Sequence, residues 1–201
     1  MILLASNGLS SPFLLEAAGR CIRPGKAALV VTADDVYKEK NYHVARAAGE
    51  LERLGQQVEC FDFDVQAPDA LLDYDLVEMI GGNPYYLLRS IQLHGFADVL
   101  REFAENRVLI GWSAGALVIG PTLELIDRYS PEMNTVGLTS LSALGLTDVQ
   151  ILPHYSRFLT RYEHFEETCA RYEREKHCQV LRLNDGEGVI IQDGTPVVVR
   201  V

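Results

Sequence analysis

An α/β fold, a mostly parallel sheet with helices on both faces, is what this sequence predicts, and three observations carry the prediction. Short apolar runs recur along the chain with helical patterns between them, the order expected of a sheet built from strand–helix–strand crossovers. Ala27–Thr32 is apolar without alternation, as strands buried on both faces are. Three small loops, Gly81-Gly82-Asn83, Gly111–Gly115 and Pro153-His154-Tyr155, fall where predicted strands end. In open α/β sheets, sites form at the carboxyl ends of strands.

Taken in order, Ile2–Ala5 is a short first strand. Ser11-Pro12 then opens a helix through Cys21, because proline's missing N–H costs nothing in a first turn. Ala27–Thr32 is the second strand. From Asn41 to Leu54, the residues Val44, Ala47, Ala48, Leu51 and Leu54 keep helical spacing, and Gly55 supplies the stop. Val58–Phe63 reads as a strand, followed by a Pro-Asp turn and the strand Leu76–Ile80, which Gly81-Gly82-Asn83-Pro84 ends sharply. Helical patterning runs from Tyr85 to Asn106 with a break near Gly95. Val108–Trp112 is a further buried strand, with a short helix starting just after Ser113.

Asp127 to Gly145 is irregular and reads as a surface loop. Val149–Leu152 is a strand and Thr160–His177 a polar helix. Val180–Leu183, Val189–Gln192 and Val197–Val201 close the chain as strands, the last two joined by the hairpin signal Asp193-Gly194. With neither repeat nor linker in 201 residues, one domain spanning 1–201 is expected.

Composition narrows the function. A formal charge of −10 disfavours nucleic acid or an anionic membrane as partner, since both need a basic face to replace counterions. Cys21, Cys60, Cys169 and Cys178 form no CxxC or metal-finger spacing and read as reduced, packed thiols. The apolar start MILLAS lacks a basic leader and reads as a strand, not a signal peptide. No apolar stretch approaches the ~20 residues of a membrane span. The expected address is cytoplasmic, and the expected assembly a monomer or homodimer.

Gly111-Trp112-Ser113-Ala114-Gly115 fits G-x-S-x-G between a strand and a helix, the setting of a nucleophile elbow. Small neighbours let the backbone fold tightly, so the Ser113 oxygen stands exposed and the Ala114 amide can face a developing oxyanion. Gly81-Gly82-Asn83 offers a second such amide, best placed at Gly82. The same residues also make an ordinary strand-to-helix turn, with Asn83 as N-cap and Pro84 after it.

A serine needs a base to attack at neutral pH. Among five histidines, His43 and His164 lie in polar helical patterns and His94 and His177 near helix ends. His154 follows an apolar strand, on the same rim as Ser113. The base in turn needs a carboxylate. Asp185 and Glu187, in Asn184-Asp185-Gly186-Glu187-Gly188, and Asp127, after the serine helix, are the candidates. No H-E-x-x-H or clustered ligand set points to a metal, and no phosphate-cradling glycine motif is present.

The pieces Ile80–Leu88 (IGGNPYYLL), Leu109–Ala116 (LIGWSAGA), Pro121-Thr122 and Pro153-His154-Tyr155 resemble the peptidase E (aspartyl dipeptidase) group, related to cyanophycinases. They follow the same order along nearly the whole chain. The resemblance implies a fold like that of class I glutamine amidotransferases and a Ser-His-acid triad without cofactor. It further implies hydrolysis of small peptides, in the best-known members after an N-terminal aspartate.

Carried over by position, the serine is Ser113, the base His154 and the oxyanion amides Gly82 and Ala114. The acid falls on Asp185, where the dipeptidase has Glu; an older view of the family points near Asp127. Asn83 and Arg161 are the candidates for substrate contact. Two departures bear on aspartate specificity: Ile80 stands where the family has a first glycine, and Arg161 matches the family's aspartate-binding arginine only loosely. Two alternatives remain on the residues alone. One is an α/β-hydrolase esterase, although its triad order and HGGG-type loop are missing. The other is a non-catalytic binding module of the same fold.

Overall fold

A computed structural model describes residues 1–201. Its strands are β1 (Ile2–Ala5), β2 (Gly25–Val30), β3 (Gln56–Phe61), β4 (Leu76–Met79), β5 (Val108–Trp112), β6 (Gln150–Leu152), β7 (Val180–Arg182), β8 (Gly188–Gln192) and β9 (Thr195–Val199). Its helices are α1 (Pro12–Gly19), α2 (Tyr42–Arg53), α3 (Pro84–His94), α4 (Phe96–Asn106), α5 (Ala114–Ile119), α6 (Glu124–Tyr129), α7 (Tyr155–Leu159) and α8 (Phe165–Lys176). The main sheet runs β3-β2-β4-β5-β1-β8-β9. The first five strands are mutually parallel, and β8 and β9 turn antiparallel at one edge.

Every residue of β1 and β4 is buried, as are Ala27–Val30 of β2. Helices therefore cover both faces, and the apolar side chains of both layers join in one core cluster. Local chemistry sets the ends of the elements. Ser11 caps α1 by accepting from Leu14 N, and Gly95, at φ 77°, separates α3 from α4. A left-handed residue at that point suits glycine, which has no β-carbon to clash.

The structure departs from the sequence reading in several places, and β9, at Thr195–Val199 instead of the expected Val197–Val201, is one. β2 and β3 each begin and end two residues earlier than expected. They pair in step from Gly25↔Gln56 to Val30↔Phe61, and Thr32 then leaves the ladder: its hydroxyl donates to Asp62 (2.9 Å) and accepts from Phe63 N (2.8 Å). β6 and β7 pair with each other in a separate two-stranded sheet, over a small cluster that includes Leu152, Phe165 and Tyr172. The expected loop from Asp127 is ordered at its start by α6 and by a 3-10 turn at Pro131–Met133. The expected helix Thr160–His177 begins only at Phe165, and a short α7 precedes it. The Thr160 hydroxyl donates to Arg157 O (2.9 Å), and the Arg161 and Tyr162 amides bond Phe158 O, closing α7.

Candidate active site

β5 delivers Ser113 to the carboxyl rim of the sheet in a left-handed conformation, φ 50° and ψ −113°. Such geometry costs a non-glycine residue about 1–3 kcal/mol and persists only where the surroundings enforce it. Here Ser113 N donates to Ala5 O (3.1 Å), and Ser113 O accepts from Leu117 N as α5 begins (3.0 Å). A β-carbon on Gly115 would run into the Met79 carbonyl, and one on Gly111 into the backbone of Gly115. The glycines of G-x-S-x-G are thus required by close packing of the turn on β4.

His154 closes the rim from the other side. It caps α7 at φ 55° and is buried. Its Nε2 lies 3.0 Å from Ser113 Oγ and its Nδ1 2.6 Å from Asp185 Oδ1. Ser6, just beyond β1, locks this arrangement: its hydroxyl donates to Asp185 Oδ1 (2.9 Å) and accepts from His154 N (2.8 Å). The His154 hydrogen bond holds the Asp185 carboxyl below its ordinary value, with Ser6 and Arg157 acting in the same direction and burial opposing them. Arg157 stands 3.7 Å from Asp185 Oδ2.

The other sequence candidates are placed differently. Glu187 is buried and turned inward, accepting from Asn184 N (2.8 Å) and Arg200 (3.1 Å), so it braces the turn that carries Asp185. Asp127 accepts from the Tyr85 hydroxyl (3.1 Å). The carboxylate that bonds His154 is that of Asp185, not that of either of these. Asn83 is likewise occupied. Its side-chain oxygen accepts from Tyr85 N and Tyr86 N, and its amide donates to Met133 O (2.8 Å). Asn83 itself is not among the residues lining the cavity, whose wall beside it is formed by Gly82 and Pro84.

Gly82, Ala114, Ser113 and His154 line one cavity of about 390 Å³. Gly82 sits at φ 151°, where a β-carbon would strike the Ala33 carbonyl, and its N–H has no acceptor in the chain. Ala114 is the first residue of α5, and the N–H of a first helical residue has no intrahelical partner. Two amides are thus available beside Ser113. Tyr129, Met133, Phe158 and Tyr162 supply apolar wall, and Glu132, Arg157 and Arg161 supply charge. Arg161 lies over the Tyr162 ring at 5.2 Å, in the turn after α7 and not within a helix. A larger hollow of about 820 Å³, lined by Met1, Gln150 and Cys178, is at the far end of the strands from Ser113.

Ser6, Arg157 and Glu132 also stand at this site, and none is among the sequence candidates. For Ser6 the signal was its position directly after a buried strand. Arg157 and Glu132 had none, since their place depends on α7 and on the turn at 131–133.

Beneath the serine turn lies a buried carboxyl. Trp112 Nε1 donates to Glu78 Oε1 (2.9 Å), while Glu78 Oε2 is buried without a partner. Arg46 stacks over Trp112 and pairs with buried Glu50 (2.6 Å). Burial, and then the nearby Glu50 charge, push Glu78 from 4.5 up to about 8. Over that interval the folded state keeps a proton that the unfolded chain has lost, so this group makes stability fall as pH rises from 4.5 to about 8. Glu78→Gln is expected to flatten that decline in melting temperature. Parallel pH profiles for variant and wild type would contradict it.

No helix is long and apolar enough to cross a membrane, and no group of three or more His, Cys, Asp or Glu is arranged to hold a metal ion. Compared with known proteins, the chain is 31% identical over 138 residues to the uncharacterized peptidase Lmo0363 of Listeria monocytogenes, covering 66% of this chain and 67% of that protein. It is 26% identical over 204 residues to a peptidase E of Escherichia coli, covering 96% and 87% of the two. A crystal structure of a candidate peptidase E protein from Listeria monocytogenes EGD-e superimposes with a TM-score of 0.79 at 24% identity, covering 100% of this chain and 98% of that one. A peptidase from an acI-B1 actinobacterium gives 0.69 at 18%, covering 98% and 86%. These likenesses match the mostly parallel α/β sheet. Residues 4–199 match the model of peptidase family S51, and the chain belongs to that family as a serine peptidase with relatives named peptidase E.

Proposed function

We propose that Ser113, His154 and Asp185 form the catalytic triad of a peptidase acting on dipeptides or other short peptides. The observation that carries this is the unbroken relay from Asp185 through both nitrogens of His154 to Ser113 at a strained turn. His154 Nε2 takes the Ser113 proton as Oγ attacks the scissile carbonyl, and the amides of Gly82 and Ala114 receive the oxyanion. Collapse of this intermediate expels the amine, which takes the proton from His154, and leaves an acyl-serine. Water, activated by the same histidine, then releases the acid.

Substrate size follows from the walls. A cavity of about 390 Å³ is near the lower end of the ~300–1,000 Å³ range of small-molecule pockets, which suits a short peptide better than a folded chain. Preference for an N-terminal aspartate requires a cation for its side chain, and Arg161 fills that role in the proposal. It lines the cavity and forms no ion pair within the chain.

Arg161→Ala is then expected to lower kcat/KM for Asp-X dipeptides by about 10- to 100-fold, the scale of a charge-assisted hydrogen bond, and to spare Ala-X dipeptides. Kinetics on matched Asp-X and Ala-X substrates test this. An equal loss on both, or no Asp-X cleavage by the wild type, would exclude the role.

A further inference from the structure

We propose that Glu132 receives the free α-ammonium group of the substrate, so that the site is built for peptides with an unblocked N-terminus. The proposal rests on the reading of Ser113 as nucleophile given above.

Glu132 is the one carboxylate in the cavity wall that holds Ser113 and His154. Its placement is built into the fold. The Ser130 hydroxyl, on a buried residue, donates to Glu132 Oε1 at 2.5 Å. The same Ser130 oxygen lies 3.3 Å from the Tyr162 hydroxyl, on the wall formed by the residues after α7. Glu132 belongs to the 3-10 turn Pro131–Met133. Met133 O is tied to the Asn83 amide, and Asn83 is the residue after Gly82. The carboxylate is therefore indexed to the oxyanion loop on one side and to the aromatic wall on the other.

Its charge is unspent. Glu132 forms no ion pair, although Arg157 and Arg161 line the same cavity. The Ser130 hydrogen bond holds its carboxyl below the ordinary value, with Arg161 acting in the same direction, so it is an anion at neutral pH. A peptide's α-ammonium is two bonds from the carbonyl carbon of its first residue. An anion that fixes the ammonium therefore sets which bond meets Ser113, and it limits the enzyme to cutting after the first residue. The opposite charge of Arg161, in the wall of the same cavity, leaves the side-chain carboxylate of an N-terminal aspartate its own partner.

Binding in a Ser113→Ala background tests this without turnover. Calorimetry would compare a free dipeptide with its N-acetyl analogue, in Ser113→Ala and in Ser113→Ala with Glu132→Gln. The free dipeptide is expected to bind about 10- to 100-fold more weakly once Glu132 is neutralised, from the loss of a charge-assisted hydrogen bond. The N-acetyl analogue should bind weakly and equally to both. Equal affinity of the free dipeptide for the two proteins, or equal affinity of the Ser113→Ala protein, which keeps Glu132, for free and acetylated forms, would overturn the proposal. Circular dichroism on Glu132→Gln, an isosteric change on an exposed turn, separates lost recognition from lost fold. Fluorophosphonate labelling of the wild type separates the two layers of inference. Labelling with no Glu132 effect defeats only the ammonium site, whereas absence of labelling removes the Ser113 reading and this proposal with it.

Discussion

Ser113→Ala is expected to abolish peptide hydrolysis, with kcat falling about 10⁶-fold, while the fold survives. Loss of a triad serine is of that order where the triad acts as a unit. The residue that remains keeps every backbone contact of the turn, including the bond to Ala5 O and the start of α5. Only one hydroxyl at the cavity wall is removed, so the melting temperature should stay within a few degrees. His154→Ala should cost about as much, and the double variant little more. Steady-state kinetics with a thermal melt check both halves. Near wild-type turnover in Ser113→Ala would end the assignment.

Asp185→Asn carries the second large effect. The carboxylate accepts from His154 Nδ1 at 2.6 Å, which fixes the tautomer that presents a bare Nε2 to Ser113. An amide can instead offer an N–H and hold the wrong tautomer, so kcat is expected to fall about 10⁴-fold with shape preserved. Glu187→Gln and Asp127→Asn are the controls. Their carboxylates bond Asn184 N with Arg200, and Tyr85, respectively. Their effects should therefore appear in stability, with kcat nearly unchanged. A normal Asp185→Asn together with a dead control would move the acid to that control.

Much of the scaffold was legible because burial leaves a direct trace. Strands covered on both faces are unbroken apolar runs, and β5 coincides with the expected Val108–Trp112. The serine turn was legible because its glycines are demanded by contacts as close as those between Gly115 and Met79. The short helix α7 was not. It is capped by His154 in a left-handed conformation, where no Ser, Thr, Asp or Asn marks the start.

Long-range pairing was equally hidden. That β6 and β7 leave the main sheet depends on which partners compete for their edges, and nothing local in Gln150–Leu152 records it. The choice between Asp185 and Glu187 depends on side-chain direction within a turn of five residues, and that of Asp127 on where α6 packs. Ser6 shows the same limit in reverse. It looked like the polar end of a strand, and its function as a clamp on both His154 and Asp185 needs residues 148 and 179 positions away.

In the proposed triad, His154 and Asp185 make Ser113 nucleophilic. Reaction with a fluorophosphonate probe, followed by peptide mapping, measures that property without a guess at the substrate. One adduct on the peptide carrying Ser113 is expected in the wild type, none in Ser113→Ala, and much slower labelling in Asp185→Asn. An unlabelled wild type, or an adduct on any other serine, would rule the triad out.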